Sequence, residues 1–252
     1  HCPQILDIVP PVKKLFYFFI AKLLLNVFST HKIACGDAAG KFLYFNKKYT
    51  ILKNGIDIKN FNFNINTREV IREKYNISKN TLLLGHVGRL IYIKNQMFLL
   101  KIINKITDTD VKLILVGDGE MKDEIEAYIK KQKLEDRVIM IGSTENVNDY
   151  YNAFDIFVFP SLFEGVPYTL IEAQANGLNI LASNNISKEC DITHSINFMK
   201  IGDEYIKNWI EEILKYKNNN KGRNNNAELI RKSGYSIEET VAFIEKIYNK
   251  EG

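Results

Sequence analysis

IFVFPSLFEGVPYTLIEAQANGLNILA, residues 156–182, decides how the chain is read. Ile156 to Phe159 is a short apolar run of aromatic and β-branched residues, which suits a strand buried on both faces. Residues 168 to 176 carry a helix-compatible pattern, and Leu178 to Ala182 is apolar again. A strand, a crossover helix and a second strand in this order make a βαβ unit, and hence a parallel sheet covered by helices.

The same alternation extends outward. Leu82 to Val87, Val111 to Val116, Val138 to Ile141 and Ile196 to Met199 read as further strands. Residues 95 to 106, 120 to 131 and 146 to 153 read as helices between them. Together they predict one complete doubly wound α/β domain. Upstream, Lys32 to Cys35 and Tyr49 to Leu52 read as two strands around a short helix, with no room before them for the rest of their sheet. Asn54-Gly55 followed by Ile56-Asp57 is a chain-reversal signal. The expected organisation is a remnant of a Rossmann-like domain over 1–54, a complete Rossmann-like domain over 55–235, and a final helix over 236–252 that crosses back to the first part. Ser236, with Glu239 three residues later, has the form of a capping box. The polar run from Asn218 to Asn226 around Lys-Gly-Arg reads as a mobile loop outside any core. The chain opens on His1, and is expected to be a piece of a longer product.

Composition bounds the function. With 252 residues, 46% hydrophobic and 25% charged, the chain can bury a sizeable core. The net charge of +4 is mild, and its 34 basic residues are spread among 30 acids, a pattern that excludes a nucleic-acid footprint. Cys2, Cys35 and Cys190 are odd in number and far apart, so neither a disulfide framework nor a zinc site is expected, and a cytoplasmic location fits. The apolar stretch from Leu15 to Phe28 is interrupted by Lys22 and is shorter than the roughly 18–20 residues of a membrane span. Lying on an anionic surface and packing in an incomplete domain are both compatible with it.

In doubly wound sheets ligands bind beyond the carboxyl ends of the strands. Asp108-Thr109-Asp110 has the D-x-D form of a metal-binding pair but precedes a strand, so it reads as a solvated loop at the opposite edge. After the strand ending at Val87, Gly88, Arg89 and Lys94 lie ahead of a helix, where a guanidinium fork, an ammonium and a helix start suit a diphosphate. After Phe159, Glu164 and Gly165 lie in a loop, Pro167 suits the first helical position, and the N–H groups of Tyr168, Thr169 and Leu170 would form an anion site. Glu172 stands among Leu170, Ile171, Ala173 and Ala175, where a carboxylate is costly without partners. Its spacing from Glu164, taken along a helix, is about 12 Å of rise, the scale of two carboxylates gripping opposite ends of a nucleotide sugar.

These residues resemble the family 4 glycosyltransferases of the GT-B fold, over roughly residues 29 to 249. The resemblance rests on P-S-x-x-E-G-x-P followed by x-x-x-x-E-A-x-A-x-G, on G-R-x-x-x-x-K at Gly88 to Lys94, and on LVGDGE and KNGID. VFPSLFEGVPYTLIEAQANGLNILAS, continuing into KECDIT, is similar to bacterial transferases of capsular and exopolysaccharide assembly. The resemblance implies a retaining transfer of a hexose from a nucleotide sugar, with UDP expected as the nucleotide, to a glycan or lipid-linked saccharide at the inner face of the membrane, without a metal or other cofactor. Carried over by position, Arg89 and Lys94 would bind the diphosphate and stabilise its departure, Glu164 would hold the donor sugar, and Glu172 would accept the ribose hydroxyls. Gly165 and Val166 would offer backbone N–H groups, and Gly142 and Ser143 would line the base. Val166 stands where the family often has Phe. The family's first domain supplies a further phosphate loop and most of the acceptor site, so the chain by itself is expected not to turn over.

Other residues have plainer readings. His86 reads as a packed or hydrogen-bonded strand residue, Trp209 as core, and Gly117-Asp118-Gly119 as a turn rather than a dinucleotide fingerprint. His1 resembles a sugar-contacting histidine of the family's first domain. A nucleotide-sugar epimerase or phosphorylase on the same architecture and a truncated binding module without catalysis are the rival readings. A Rossmann dehydrogenase is disfavoured, because no strand is followed by G-x-G-x-x-G.

Overall fold

In the computed structural model, which describes residues 11–45, 48–217 and 222–249, the apolar stretch near the amino end is a helix, α1 (Pro11–Phe28). Strand β1 (Ile33–Ala34), helix α2 (Asp37–Tyr44) and strand β2 (Thr50–Ile51) follow, and the two strands pair in parallel. Both strands are shorter than the sequence suggests. Asn26 ties α1 to α2 by donating from Nδ2 to the Leu43 carbonyl at 2.9 Å. Lys22, the charge that interrupts the apolar run, sits over the rings of Phe42 and Phe45. No helix among the described residues is long and apolar enough to cross a membrane. His1 and Asn218–Asn220 lie outside the described residues.

The described residues divide into two compact units, those within 11–55 and 239–249, and those within 56–238. The C-terminal helix, Ile237–Asn249, contributes to the first, where Thr240 Oγ1 donates to the Lys53 carbonyl at 3.2 Å. At the start of this helix the Ser236 hydroxyl donates to the carboxylate of Glu238 at 2.6 Å.

The second unit holds helix α3 (Ile65–Lys74), strand β3 (Leu82–Val87), α4 (Gln96–Lys105), β4 (Val111–Val116), α5 (Lys122–Lys131), β5 (Val138–Gly142), α6 (Val147–Ala153) and β6 (Ile156–Phe159). It continues with α7 (Tyr168–Ala175), β7 (Asn179–Ser183), β8 (Ile196–Met199), α8 (Ile206–Leu214) and α9 (Ala227–Lys232). The six strands β3 to β8 form one parallel sheet in the order β5-β4-β3-β6-β7-β8. Side chains alternate across it. Leu83, Ile114, Phe157, Phe159 and Ile180 pack with α6, α7 and α9 on one face. Leu82, Leu84, Leu113, Ile156, Val158 and Leu181 pack with α4, α5 and α8 on the other, where Trp209 is fully buried. Gly85 is required in β3, because a Cβ there would lie 2.1 Å from the Phe154 ring.

An arginine cluster holds the amino edge of this sheet together. Arg68 and Arg72 both reach Asp155, just before β6, and Asp155 Oδ2 also accepts the Leu83 N–H at 2.7 Å. Arg68, Arg72 and Arg223 donate to the last carbonyls of α6 and the residue after it, so cations meet the negative end of a helix. Arg223 belongs to the polar run expected to stay outside the core. Its guanidinium also reaches Asn176 Oδ1, and the neighbouring Asn226 donates to the Gln174 carbonyl at 2.8 Å, so the described half of that run is packed. Free carbonyls at a helix end give a polar segment a reason to dock.

Candidate functional site

Counted within its own domain, the sheet runs third, second, first, fourth, fifth, sixth strand, and the order reverses between β3 and β6. The crevice beyond the carboxyl ends at such a reversal is where doubly wound folds take their ligands. Two loops border it, residues 88–95 after β3 and residues 160–167 after β6.

Backbone contacts bind these loops into one frame. Leu162 N–H donates to the Ile93 carbonyl at 2.8 Å, and Asn95 Nδ2 donates to the Pro160 carbonyl at 3.2 Å. Asn185 Nδ2 donates to the Leu162 carbonyl at 3.1 Å, and Glu164 pairs with Ile186 as an isolated parallel bridge. The β3 loop is braced from its other side by β4: Gly88 N–H reaches Val116, and Leu90 N–H reaches Asp118. Gly117, at φ +137°, makes this possible, since a Cβ there would come 2.1 Å from the Gly88 carbonyl oxygen.

On this frame Lys94 and Glu164 meet, Nζ to Oε1 at 2.7 Å, both side chains about one-fifth exposed or less (16% and 21%). Lys94 Nζ also lies 4.9 Å from the centre of the Phe159 ring. Arg89 is exposed, and its guanidinium meets no carboxylate among the described residues. Its backbone is held instead. Gln96 Nε2 donates to the Arg89 carbonyl at 2.8 Å and lies 3.2 Å from His86 Nε2, while His86 Nδ1 lies 2.9 Å from the Val158 carbonyl. Nδ1 faces a carbonyl and must carry the proton, so Nε2 accepts from Gln96. Burial holds this ring neutral and pushes its pKa down to about 4.

Helix α7 carries the remaining groups. Pro167 is its cap, in extended conformation, and Tyr168 is its first residue, which corrects the expectation that Pro167 opens the helix. The Leu170 N–H is spent on the Pro167 carbonyl at 3.1 Å, so it leaves the predicted trio of anion-binding amides. Because the helix begins only at Tyr168, the 12 Å helical rise between Glu164 and Glu172 does not apply: Glu164 is held by loop pairing and Glu172 by the helix. Gly165 is open, since a Cβ at this position would meet nothing within 4 Å, and Val166 packs against the core. The hydroxyls of Thr169 and Ser161 are buried without a hydrogen-bond partner among the described residues. Gly142, at φ +76°, and exposed Ser143 end β5, two strands from the reversal, where the Gly142 carbonyl accepts the Gly117 N–H at 2.8 Å.

Glu172 has a partner that the sequence does not signal. Tyr151 Oη donates to Glu172 Oε2 at 2.7 Å. Burial pushes the Glu172 carboxyl above its ordinary value, and the Tyr151 hydrogen bond opposes that rise. Tyr150-Tyr151 falls at core positions of α6, so its phenols read as packing, and only the fold brings one of them to Glu172. The Asp108-Thr109-Asp110 loop lies before β4, and Lys217 pairs with both of its carboxylates. At the crevice, the exposed Arg89 guanidinium and the meeting of the Lys94 ammonium with the Glu164 carboxylate suit a polyanionic, hydroxyl-rich ligand.

Comparison with known proteins gives the same direction. Residues 67–233 match the family described as glycosyl transferases group 1. The chain is 31% identical over 229 residues to EpsF of Bacillus subtilis (strain 168), a provisionally named glycosyltransferase, covering 88% of this chain and 60% of that one. It is 27% identical over 173 residues to the UDP-Gal:alpha-D-GlcNAc-diphosphoundecaprenol alpha-1,3-galactosyltransferase of Escherichia coli, covering 67% of this chain and 45% of the relative. The chain thus spans less than two thirds of the length of these relatives. Among solved structures, HepE of Anabaena in complex with UDP superposes with a TM-score of 0.74 at 21% identity, over 96% of this chain and 70% of that one.

Proposed function

Because this chain belongs to the group 1 glycosyl transferases and has the GT-B fold, we propose that it carries the donor site of a retaining transferase that moves a hexose from a UDP-sugar to a lipid-linked saccharide, without a metal, in capsular or exopolysaccharide synthesis. The observation that carries this reading is the meeting of Lys94 and Glu164 where the strand order reverses. One group there suits a diphosphate and the other a sugar hydroxyl, and they arrive from the two loops that border the crevice.

In this reading Arg89 and Lys94 bind the diphosphate. Glu164 holds the donor sugar, with Gly165 and Val166 supplying backbone N–H groups. Tyr168 and Thr169 stand at the start of α7, Glu172 takes the ribose hydroxyls, and Gly142 and Ser143 line the base. As the bond from the anomeric carbon to the phosphate oxygen breaks, positive charge grows on the sugar and negative charge on the departing UDP. Fixed cations aimed at that phosphate lower the barrier because their positions are set before the reaction. Arg89 suits this role: Gln96, held by His86, fixes its backbone, and its guanidinium meets no carboxylate among the described residues. Lys94 exchanges part of its contact with Glu164 for the phosphate, which releases Glu164 to the sugar. The names of HepE's complex and of the Escherichia coli transferase support UDP and a diphosphoundecaprenol-linked acceptor. An acceptor of that kind would place the reaction at the cytoplasmic membrane face, with peripheral association of the protein.

Metal-free calorimetric titration with UDP, GDP and ADP tests the reading. UDP is expected to bind in preference to the other two, and Arg89→Ala and Glu172→Ala are each expected to weaken it about tenfold or more in variants that remain folded. Equal affinity of both variants and the parent would remove these residues from the site.

A further inference from the structure

Glu172 shares α7 with buried Leu170, Ile171, Ala173 and Ala175, yet its hydrogen-bonding partner comes from α6. Tyr151 is fully buried, and its ring is set among Phe61, Phe154 and Phe157 at centroid distances of 5.5, 6.0 and 5.4 Å. A ring enclosed in this way presents its hydroxyl to one place. Two acceptors lie there, Glu172 Oε2 at 2.7 Å and the Thr169 carbonyl at 3.3 Å. A phenol has a single proton, and the shorter contact to the charged acceptor takes it.

We infer that Tyr151 is a positioning residue for the nucleotide site, fixing Oε2 of Glu172 so that the rest of the carboxylate is presented to the ribose hydroxyls. The inference rests on the reading of Glu172 given above and names the group that makes that reading workable in a buried setting. Burial raises the Tyr151 pKa well above its ordinary value, so the phenol remains a donor wherever the chain is folded. The same desolvation favours a protonated, weakly accepting Glu172, and the Tyr151 hydrogen bond counters it. Lys59 on the turn before α3, and Glu228, Arg231 and Lys232 on α9, belong to elements packed against α7; burial raises the Glu172 carboxyl and the Tyr151 hydrogen bond lowers it.

The test uses the full chain as wild type, Tyr151→Phe, Glu172→Gln and the double variant, each titrated with UDP and with 2′-deoxy-UDP. The titration of the Glu172 carboxyl is followed by carbon-13 NMR in the wild type and in Tyr151→Phe. Tyr151→Phe keeps the ring and its packing, so folding is preserved. It is expected to weaken UDP about tenfold, to weaken 2′-deoxy-UDP less, and to move the carboxyl titration to higher pH. The double variant is expected to bind no more weakly than Glu172→Gln. Additive losses, or an unmoved carboxyl titration, would overturn the positioning role while leaving Glu172 in the site. A Glu172→Gln chain that binds UDP as tightly as the wild type would overturn the nucleotide reading and this inference together.

Discussion

The two edges of the six-stranded sheet use cations in opposite ways. At the amino edge, Arg68, Arg72 and Arg223 donate to Asp155, to carbonyls around the end of α6 and to the Ser78 and Thr81 carbonyls. Their donors are spent on the fold. Burial lowers the Arg223 pKa to about 9, yet the group is retained there by its acceptors. At the carboxyl edge, Arg89 is exposed and meets no carboxylate among the described residues, and Lys94 pairs with Glu164. The contrast teaches that cation content alone does not locate a polyanion site. What locates it is donor capacity that the protein itself leaves uncommitted, at the end of the sheet where the topology opens.

That comparison can be broken most readily at the amino edge. Arg72→Met leaves Asp155 short of a partner, and the Ser78 and Thr81 carbonyls short of a donor, in a buried setting. It is expected to cost about 3 kcal/mol in urea unfolding while leaving UDP affinity of the folded fraction unchanged. A loss of UDP affinity at full stability would place the ligand at the wrong edge.

Acid should also loosen the β3 loop. His86 titrates at about 4 in the folded chain against an ordinary 6.5, so the unfolded chain binds more protons between those values. Its contribution is complete above pH 6.5 and is lost as pH falls toward 4, on the order of 3 kcal/mol in all. In His86→Gln the dependence of Tm on pH across this window is expected to flatten.

Lys94→Ala reverses the pattern of Arg72→Met. Its partly exposed pair is expected to contribute less than about 1 kcal/mol to stability, while UDP affinity falls about tenfold. Smallest is the stability effect of Glu172→Gln. Burial raises this carboxyl's pKa, so the stability tied to its protonated form is lost as pH rises through the folded value, and the neutral isostere escapes that loss. The variant is expected to melt about 2 °C higher at neutral pH, with the difference closing toward pH 4, even as nucleotide binding weakens.

Legibility in the sequence follows the same division. The runs Leu82–Val87, Val111–Val116, Ile156–Phe159 and Ile196–Met199 coincide with strands at both ends, because strands of a covered parallel sheet are mostly apolar and the loops that bound them are not. Helix α3 is not signalled by such a pattern: among its described residues only Ile71 and Arg72 are buried, and the rest of its docking is polar. The charged residues assigned to the proposed site, Arg89, Lys94, Glu164 and Glu172, stand out, since charges in loops after strands and in an apolar helix are conspicuous. Their partners do not stand out. Tyr151 and Gln96 carry no signal in the sequence, His86 reads only as a packed or hydrogen-bonded strand residue, and the hydrogen bonds that give them a role connect elements far apart in the chain. The helical spacing from Glu164 to Glu172 misleads for a related reason: Glu164's position is set by Ile186, which is not its sequence neighbour.

The central claim is that UDP binds at the carboxyl edge, and backbone amide NMR of the full chain titrated with UDP in metal-free buffer tests it most directly. The account predicts shifts gathered at residues 88–95, 142–143 and 161–172, with the amino-edge residues 63–68, 79–82 and 222–223 unmoved. Shifts centred on Arg68, Lys79 and Arg223, or none at saturating UDP, would contradict it.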